Sequence, residues 1–348
     1  MLGEELTESQ ASEWKRRRRR LRRGRNRLLV GVAAIVVALA VAVPAIVLGG
    51  DGGPPAAPPV KAALVRIDPK TNKIVGNSLE LDIGAASVAA GEGAVWVANT
   101  RTDQVLRIDP ETGAVLRTFP LGSDPRAIAV GGGTGAAWVI TTNKLWKFDS
   151  LSGIPGTIGL DSVTRAVATG EGTVWVALGT LEQGRVQRID PARVILTSDV
   201  IEESACCVAI GEGAVWLVAV EVGSGQVELV RIDLETKKVV TRIPLEHRSP
   251  VGLTVAQGLV WVAFDQGTIA LIDTGSNEVA ETVSTGPGVV AIVSGEGGIW
   301  VLHRQGGVTR IDPISRDVVG TTTVTAARPT GIAAGEGSVW VVAAGPTD

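Results

Sequence analysis

The 348-residue chain holds only two imidazoles, His247 and His303. Histidine titrates nearest neutral pH, so it is the side chain most often used to move a proton. Joined by Glu203 and Asp265, these two would form an acid–base set. The four are spread from position 203 to 303, each in its own segment. An isolated loop histidine is most often a surface group. No HExxH, Walker, Rossmann or GxSxG pattern accompanies them. GGGTG at 131–135 is glycine-rich but sits between apolar runs, so it reads as a long turn rather than a phosphate loop before a helix.

Arginine offers a second chemistry. Arg126, Arg165, Arg248 and Arg328 each stand at the beginning of an apolar run, in DPRAI, VTRAV, HRSPV and RPTGI. Guanidinium groups at comparable places around a ring would hold an anion such as phosphate or carboxylate. The plainer reading is solvated arginine paired with Asp124, Asp161 or Glu246. Asn99, Arg101, Asp124, Asp265, His303 and Arg304 fall in similar polar loops. Cys206 and Cys207 are the only cysteines. Neighbours on a regular strand point to opposite faces, so pairing them would demand a strained ring. Two small buried residues is the plainer expectation.

What positions these residues is a repeat. Trp96, Trp138, Trp175, Trp216, Trp261, Trp300 and Trp340 recur at spacings of 42, 37, 41, 45, 39 and 40. A second landmark keeps step: RID at 66–68, 107–109, 188–190, 231–233 and 310–312, with KFD at 147–149 and LID at 271–273. Both series have seven members, and a period of about 40 residues is that of a four-stranded propeller blade. PRAIAVG (125–131), GAVWVAN (93–99), QVLRID (104–109) and AVLRTF (114–119) represent strands A, B, C and D. A and B are almost wholly apolar, as strands covered on both faces are. C and D mix apolar with charged positions. The tryptophans read as core between blades, and the aspartates of RID as turn residues.

Turn chemistry agrees. DPETG (109–113), DPKTN (68–72) and DLETK (233–237) suit C–D hairpins, and GEG, which occurs five times, suits a tight A–B turn with positive φ. The ordered region begins with a C-type strand (64–68) and ends with a B-type strand (338–343). The predicted fold is therefore an all-β, seven-bladed β-propeller over 61–348. Its last blade is closed two-plus-two, with A and B from 328–343 and C and D from 62–82. Strands alternate direction, so the A–B and C–D turns share one rim. The B–C and D–A loops share the other, and there the sequence varies from blade to blade. Such loops on a rigid scaffold are where function is expected.

The pattern GxGAVWVAN…VxRIDPxTGxV resembles the bacterial YVTN-type propellers and the related virginiamycin B lyase-like propellers. The resemblance covers 61–348. It implies the propeller fold, and either a binding or sensing role or, in the lyase-like members, a His–Glu constellation holding a divalent metal at the funnel. Those members place histidine near the start of strand A. The matching stretches here, DPRAI (124–128), SPVGL (249–253) and RPTGI (328–332), have none. An enzyme of this kind would have to use His247, His303, Glu203 and Asp265.

The charge is divided. In residues 1–27, ten cations against four glutamates leave +6, and the remainder carries −9, which together give the chain its −3. RRRRRLRRGR alone could meet nucleic acid. The uncharged stretch 28–48 that follows is 21 residues, about 30 Å as a helix, one bilayer core. A basic flank keeps that end cytoplasmic. Residues 1–27 are expected to be a cytoplasmic tail, 28–48 an uncleaved transmembrane helix and 49–60 a Gly/Pro-rich linker, with the propeller outside the cell. The expected partners are the bilayer, through 28–48, and a protein or cell-envelope ligand on the loop face, without nucleic acid or cofactor. The leading expectation is a non-catalytic binding, sensing or scaffold domain. A metal-dependent lyase or hydrolase is the alternative.

Overall fold

The computed structural model describes residues 62–82, 84–149, 155–180, 183–201, 203–220, 224–324 and 328–344. The tail, membrane helix and linker read at 1–27, 28–48 and 49–60 lie outside these residues. Every regular element among the described residues is a strand, and no helix there is long and apolar enough to cross a membrane.

The strands form seven antiparallel sheets. One blade starts with β1 (Ala62–Asp68), β2 (Lys73–Ile74) and β3 (Leu79–Leu81). The next runs β4 (Ala85–Gly91), β5 (Ala94–Asn99), β6 (Gln104–Ile108) and β7 (Val115–Pro120). Five more blades follow the same A–B–C–D order: β8–β11 (127–159), β12–β15 (164–201), β16–β19 (205–245), β20–β23 (250–284) and β24–β27 (289–323). Finally β28 (Pro329–Gly335) pairs with β29 (Ser338–Ala344), and β29 pairs with β1 in the register Leu64↔Val342 and Arg66↔Trp340. The A strands touch in sequence around the ring, and β28 meets β4 to close it. The fold is thus an all-β seven-bladed propeller with two-plus-two closure, which leaves no open sheet edge between its first and last strands. Its outer strand in the closing blade is split into β2 and β3, a break absent from the sequence expectation.

Burial follows the strand order. β5 is buried along its whole length, whereas in β7 only Phe119 is buried. All seven repeat tryptophans are buried. In four blades the indole N–H donates to the last carbonyl of strand A, as from Trp216 to Gly211 at 3.1 Å and from Trp300 to Gly295 at 3.0 Å. The cation of RID or KFD, opposite the Trp in register, lies over its ring: Arg66 on Trp340, Arg107 on Trp96, Lys147 on Trp138, Arg231 on Trp216 and Arg310 on Trp300, at 5.1–5.7 Å. Each such contact adds roughly 0.5–1 kcal/mol to the burial of the indole. The two sequence landmarks keep step because they touch.

The GEG turns have a second role. Strand A ends at the first Gly, and Glu–Gly is a two-residue hairpin with both residues at positive φ, as in Glu212 (55°) and Gly213 (72°). Asn is easier than Glu at the first such position. Glu is long enough to reach the neighbouring blade. Glu336 accepts from Gly93 N, Glu171 from Gly213 N, Glu212 from Gly258 N and Glu296 from Gly337 N, at 3.0–3.1 Å. In the β8–β11 blade, where GGGTG replaces GEG, the backbone does this work: Gly172 N donates to Gly132 O at 2.6 Å. A Cβ on Gly132 would lie 2.4 Å from Gly170 N, so only glycine permits that approach.

Candidate functional site

The two rims differ in how their polar groups are used. On the A–B and C–D rim six landmark aspartates and four turn glutamates are consumed internally. Asp109 Oδ1 accepts from Glu111 N at 2.9 Å and Thr112 N at 2.8 Å, and the same pair of bonds recurs at Asp68, Asp190, Asp233, Asp273 and Asp312. These backbone donors hold the six carboxyls below the usual carboxylate value.

The opposite rim is shaped by a β-bulge. In six A strands the register slips by one residue near the start, between Ala85 and Ser87, Thr164 and Ala166, Ala205 and Cys207, Pro250 and Gly252, Val289 and Ala291, and Pro329 and Gly331. The extra residue is Ala86, Arg165, Cys206, Val251, Val290 or Thr330. All six are half-buried. Arg126, just before β8, is their counterpart in the remaining blade. Some reach the next blade: Arg165 Nε donates to Ala205 O at 3.2 Å, and Thr330 Oγ1 to Ala85 O at 2.9 Å.

This register revises the arginine ring. Arg126 and Arg165 occupy equivalent positions. Arg328 stands one residue before that position's preceding neighbour and Arg248 two, so the four do not share one level. Arg126 is committed to Asp124, Nε to Oδ2 at 2.8 Å, and Thr142 Oγ1 donates to Asp124 Oδ1 at 2.7 Å. Partial burial would raise the Asp124 carboxyl, but the bonds from Arg126 and Thr142 outweigh it and hold it below the usual value. Asp161 pairs with Arg185. Arg101, Arg248, Arg304 and Arg328 are exposed. Arg248 lies along Gly225 of the preceding blade, where an added Cβ would be 3.2 Å from its guanidinium.

Asn99 belongs to the loop frame. It is buried, its Nδ2 donates to Asp82 O at 3.1 Å, and its Oδ1 accepts from Arg101 N and Thr102 N at 3.0 and 3.1 Å. It shapes the loop that displays Arg101.

The acid–base set does not come together. His303 is buried, with Nε2 3.0 Å from Thr309 Oγ1 and Nδ1 3.4 Å from Pro287 O; Thr309 is in turn 2.9 Å from Thr321 Oγ1. Burial pushes its pKa down, with the Pro287 carbonyl opposing. Glu203 is clamped by both terminal nitrogens of Arg242, whose own pKa it raises. His247 is half-buried against Phe264, ring centroids 5.2 Å apart. Asp265 follows Phe264, and its Oδ1 is buried without a hydrogen-bond partner among the described residues. Among these residues, no three His, Cys, Asp or Glu converge to hold a metal ion. The lyase-like metal constellation therefore does not fit the side chains present. A recess of about 500 Å³ at the closing blade is lined by Ala63, Val65, Ile74, Asn77, Ser78 and Val324, none of them an acid or base.

Sequence reasoning missed the bulge and what it brings together. Its one mark in the sequence is that the next residue is always small: Ser87, Ala127, Ala166, Cys207, Gly252, Ala291 and Gly331.

Comparison with solved structures shows the same fold. The computationally designed Ika8 protein is 12% identical with a TM-score of 0.54, covering 75% of this chain and 96% of its own. BamB from Moraxella catarrhalis is 15% identical with a TM-score of 0.52, covering 80% of this chain and 90% of its own. No protein-family model matches the chain, and no curated protein matches it.

Proposed function

We propose that this propeller, a YVTN-type relative, is a non-catalytic binding domain displayed outside the cell by an anchor at 28–48. Its B–C and D–A loop rim receives a protein or cell-envelope ligand. The observation that carries the reading is the contrast between the rims. One spends its carboxylates on its own backbone, while the other exposes Arg101, Arg248, Arg304 and Arg328 on loops that differ in every blade. The lyase or hydrolase alternative needs a convergent set, and Glu203 and His303 are engaged elsewhere.

The topology adds a constraint on the ligand. β29 leaves the A–B turn and ends on the loop rim, and Ala62 pairs with Ala344 there. Residues before 62 thus join the propeller at its loop rim. A linker of 49–60 spans at most about 40 Å when fully extended. An anchor at 28–48 joined through so short a linker favours a membrane-bound or membrane-proximal partner.

Thermal unfolding of the full-length chain in detergent tests the reading against its alternative. Binding to the native state alone raises the melting point by mass action. Anionic cell-wall fragments are expected to raise it, and an Arg101→Glu, Arg248→Glu variant to lose that rise. A rise with Mg²⁺ or Ca²⁺ that EDTA reverses and His247→Ala abolishes would overturn the non-catalytic reading.

A further inference from the structure

Cys206 and Cys207 are adjacent in β16 (Ala205–Gly211), yet their sulphurs lie 3.0 Å apart. A regular strand would send them to opposite faces. The bulge removes that obstacle: Ala205 opposes Ala219 and Cys207 opposes Val218, so Cys206 is the extra residue and its side chain turns toward its neighbour. Both thiols are free. Cys206 is half-buried on the loop rim, and Cys207 is buried in the core between its blade and the next. Arg165 of the preceding blade hydrogen-bonds the carbonyl of Ala205, immediately before the pair, and so brings a fixed positive charge beside it.

We infer that Cys206 and Cys207 form a dithiol–disulfide couple on the loop rim, oxidised as a unit by hydrogen peroxide. Cys206 is the accessible sulphur and reacts first. Cys207 keeps its proton: its contact with Cys206 and its burial push the thiol pKa well up, against the opposing pull of Arg165. The Cys206 thiolate attacks one peroxide oxygen, the O–O bond breaks, and hydroxide leaves and takes up the thiol proton as water. Cys206 then carries S–OH. Cys207 attacks Cys206 Sγ, the S–O bond breaks, and the departing hydroxide takes the Cys207 proton as a second water. Two thiols and one peroxide give one disulfide and two waters, with two electrons passing from the sulphurs to the peroxide. Adjacent Cα atoms are only about 3.8 Å apart, below the usual disulfide span, so a dithiol reductant reopens the ring readily.

The readout is unambiguous because the chain has no other cysteine. Reduced full-length protein in detergent is treated with hydrogen peroxide, denatured, alkylated with iodoacetamide and weighed intact. Both alkylation sites should disappear together, with the loss of two hydrogens, no covalent dimer, and full recovery on treatment with dithiothreitol. Cys207→Ser should stop the reaction at a Cys206 sulfenic acid that dimedone traps, and Cys206→Ser should give no dimedone adduct at the same exposure. Retention of both alkylation sites, loss of one alone, or dimers linked through Cys206 would each overturn the inference. The wild-type measurement decides it even if a variant fails to fold.

Discussion

The side chain of Glu212, in the hairpin between two inner strands of one blade, accepts a hydrogen bond from the backbone N–H of Gly258 in the next blade, at 3.1 Å. Three equivalent bonds join other neighbouring blades on the same rim. The residue that is locally costly in this turn is thus retained for what it reaches.

This gives the first prediction. Glu212→Asn improves the local turn conformation but is too short to reach Gly258. If the link between blades outweighs the turn, the variant loses about 0.5–1 kcal/mol in denaturant unfolding. Glu92, which makes no such bond among the described residues, is the control. Glu92→Asn is expected to be neutral or slightly stabilising.

The tryptophans separate packing from hydrogen bonding. Trp216 Nε1 donates to Gly211 O, whereas Trp175 Nε1 is buried without a partner among the described residues. Trp216→Ala should cost about 3–5 kcal/mol through the cavity it leaves. Trp216→Phe should cost about 1 kcal/mol more than Trp175→Phe, the difference being the indole bond. Equal costs would mean that the bond contributes nothing net.

His303 makes stability depend on pH. Its folded pKa is lowered by burial, so the unfolded chain takes the proton first. Its contribution is full above about pH 6.5 and is lost as the pH falls through that value toward the folded pKa. His303→Gln removes this slope. Urea unfolding between about pH 7.5 and about pH 5 should show wild type losing stability more steeply than the variant.

The architecture was legible in the sequence because its two landmarks, Trp and RID, are partners in space: Trp96 faces Arg107 across two strands in every sense that matters for spacing. Closure was legible for a similar reason, since the first strand and the last belong to complementary halves of one blade. The loop rim was less so. Arg126 and Arg248 stand at similar distances before their tryptophans, but the longer A–B turn at GGGTG displaces Arg126, whose equivalent is Val251, three residues after Arg248. Cys206 and Cys207 diverge on a regular strand, and the bulge that brings them together leaves no hydrophobic signature. Asn99 looked like a ligand group because its type and loop position are those of one; its two donors and one acceptor lie in its own and the preceding loop.

On the proposed reading the variable loop rim, and not the rim of stereotyped turns, meets a partner. Photocrosslinking in intact membranes tests it most directly, with a benzophenone side chain placed singly at exposed Arg101 or Arg248 on the loop rim and at exposed Lys70 or Glu235 on the turn rim. Discrete adducts are expected from Arg101 and Arg248 and none from Lys70 and Glu235. Adducts of equal yield from both rims, or none from the loop rim, would contradict it.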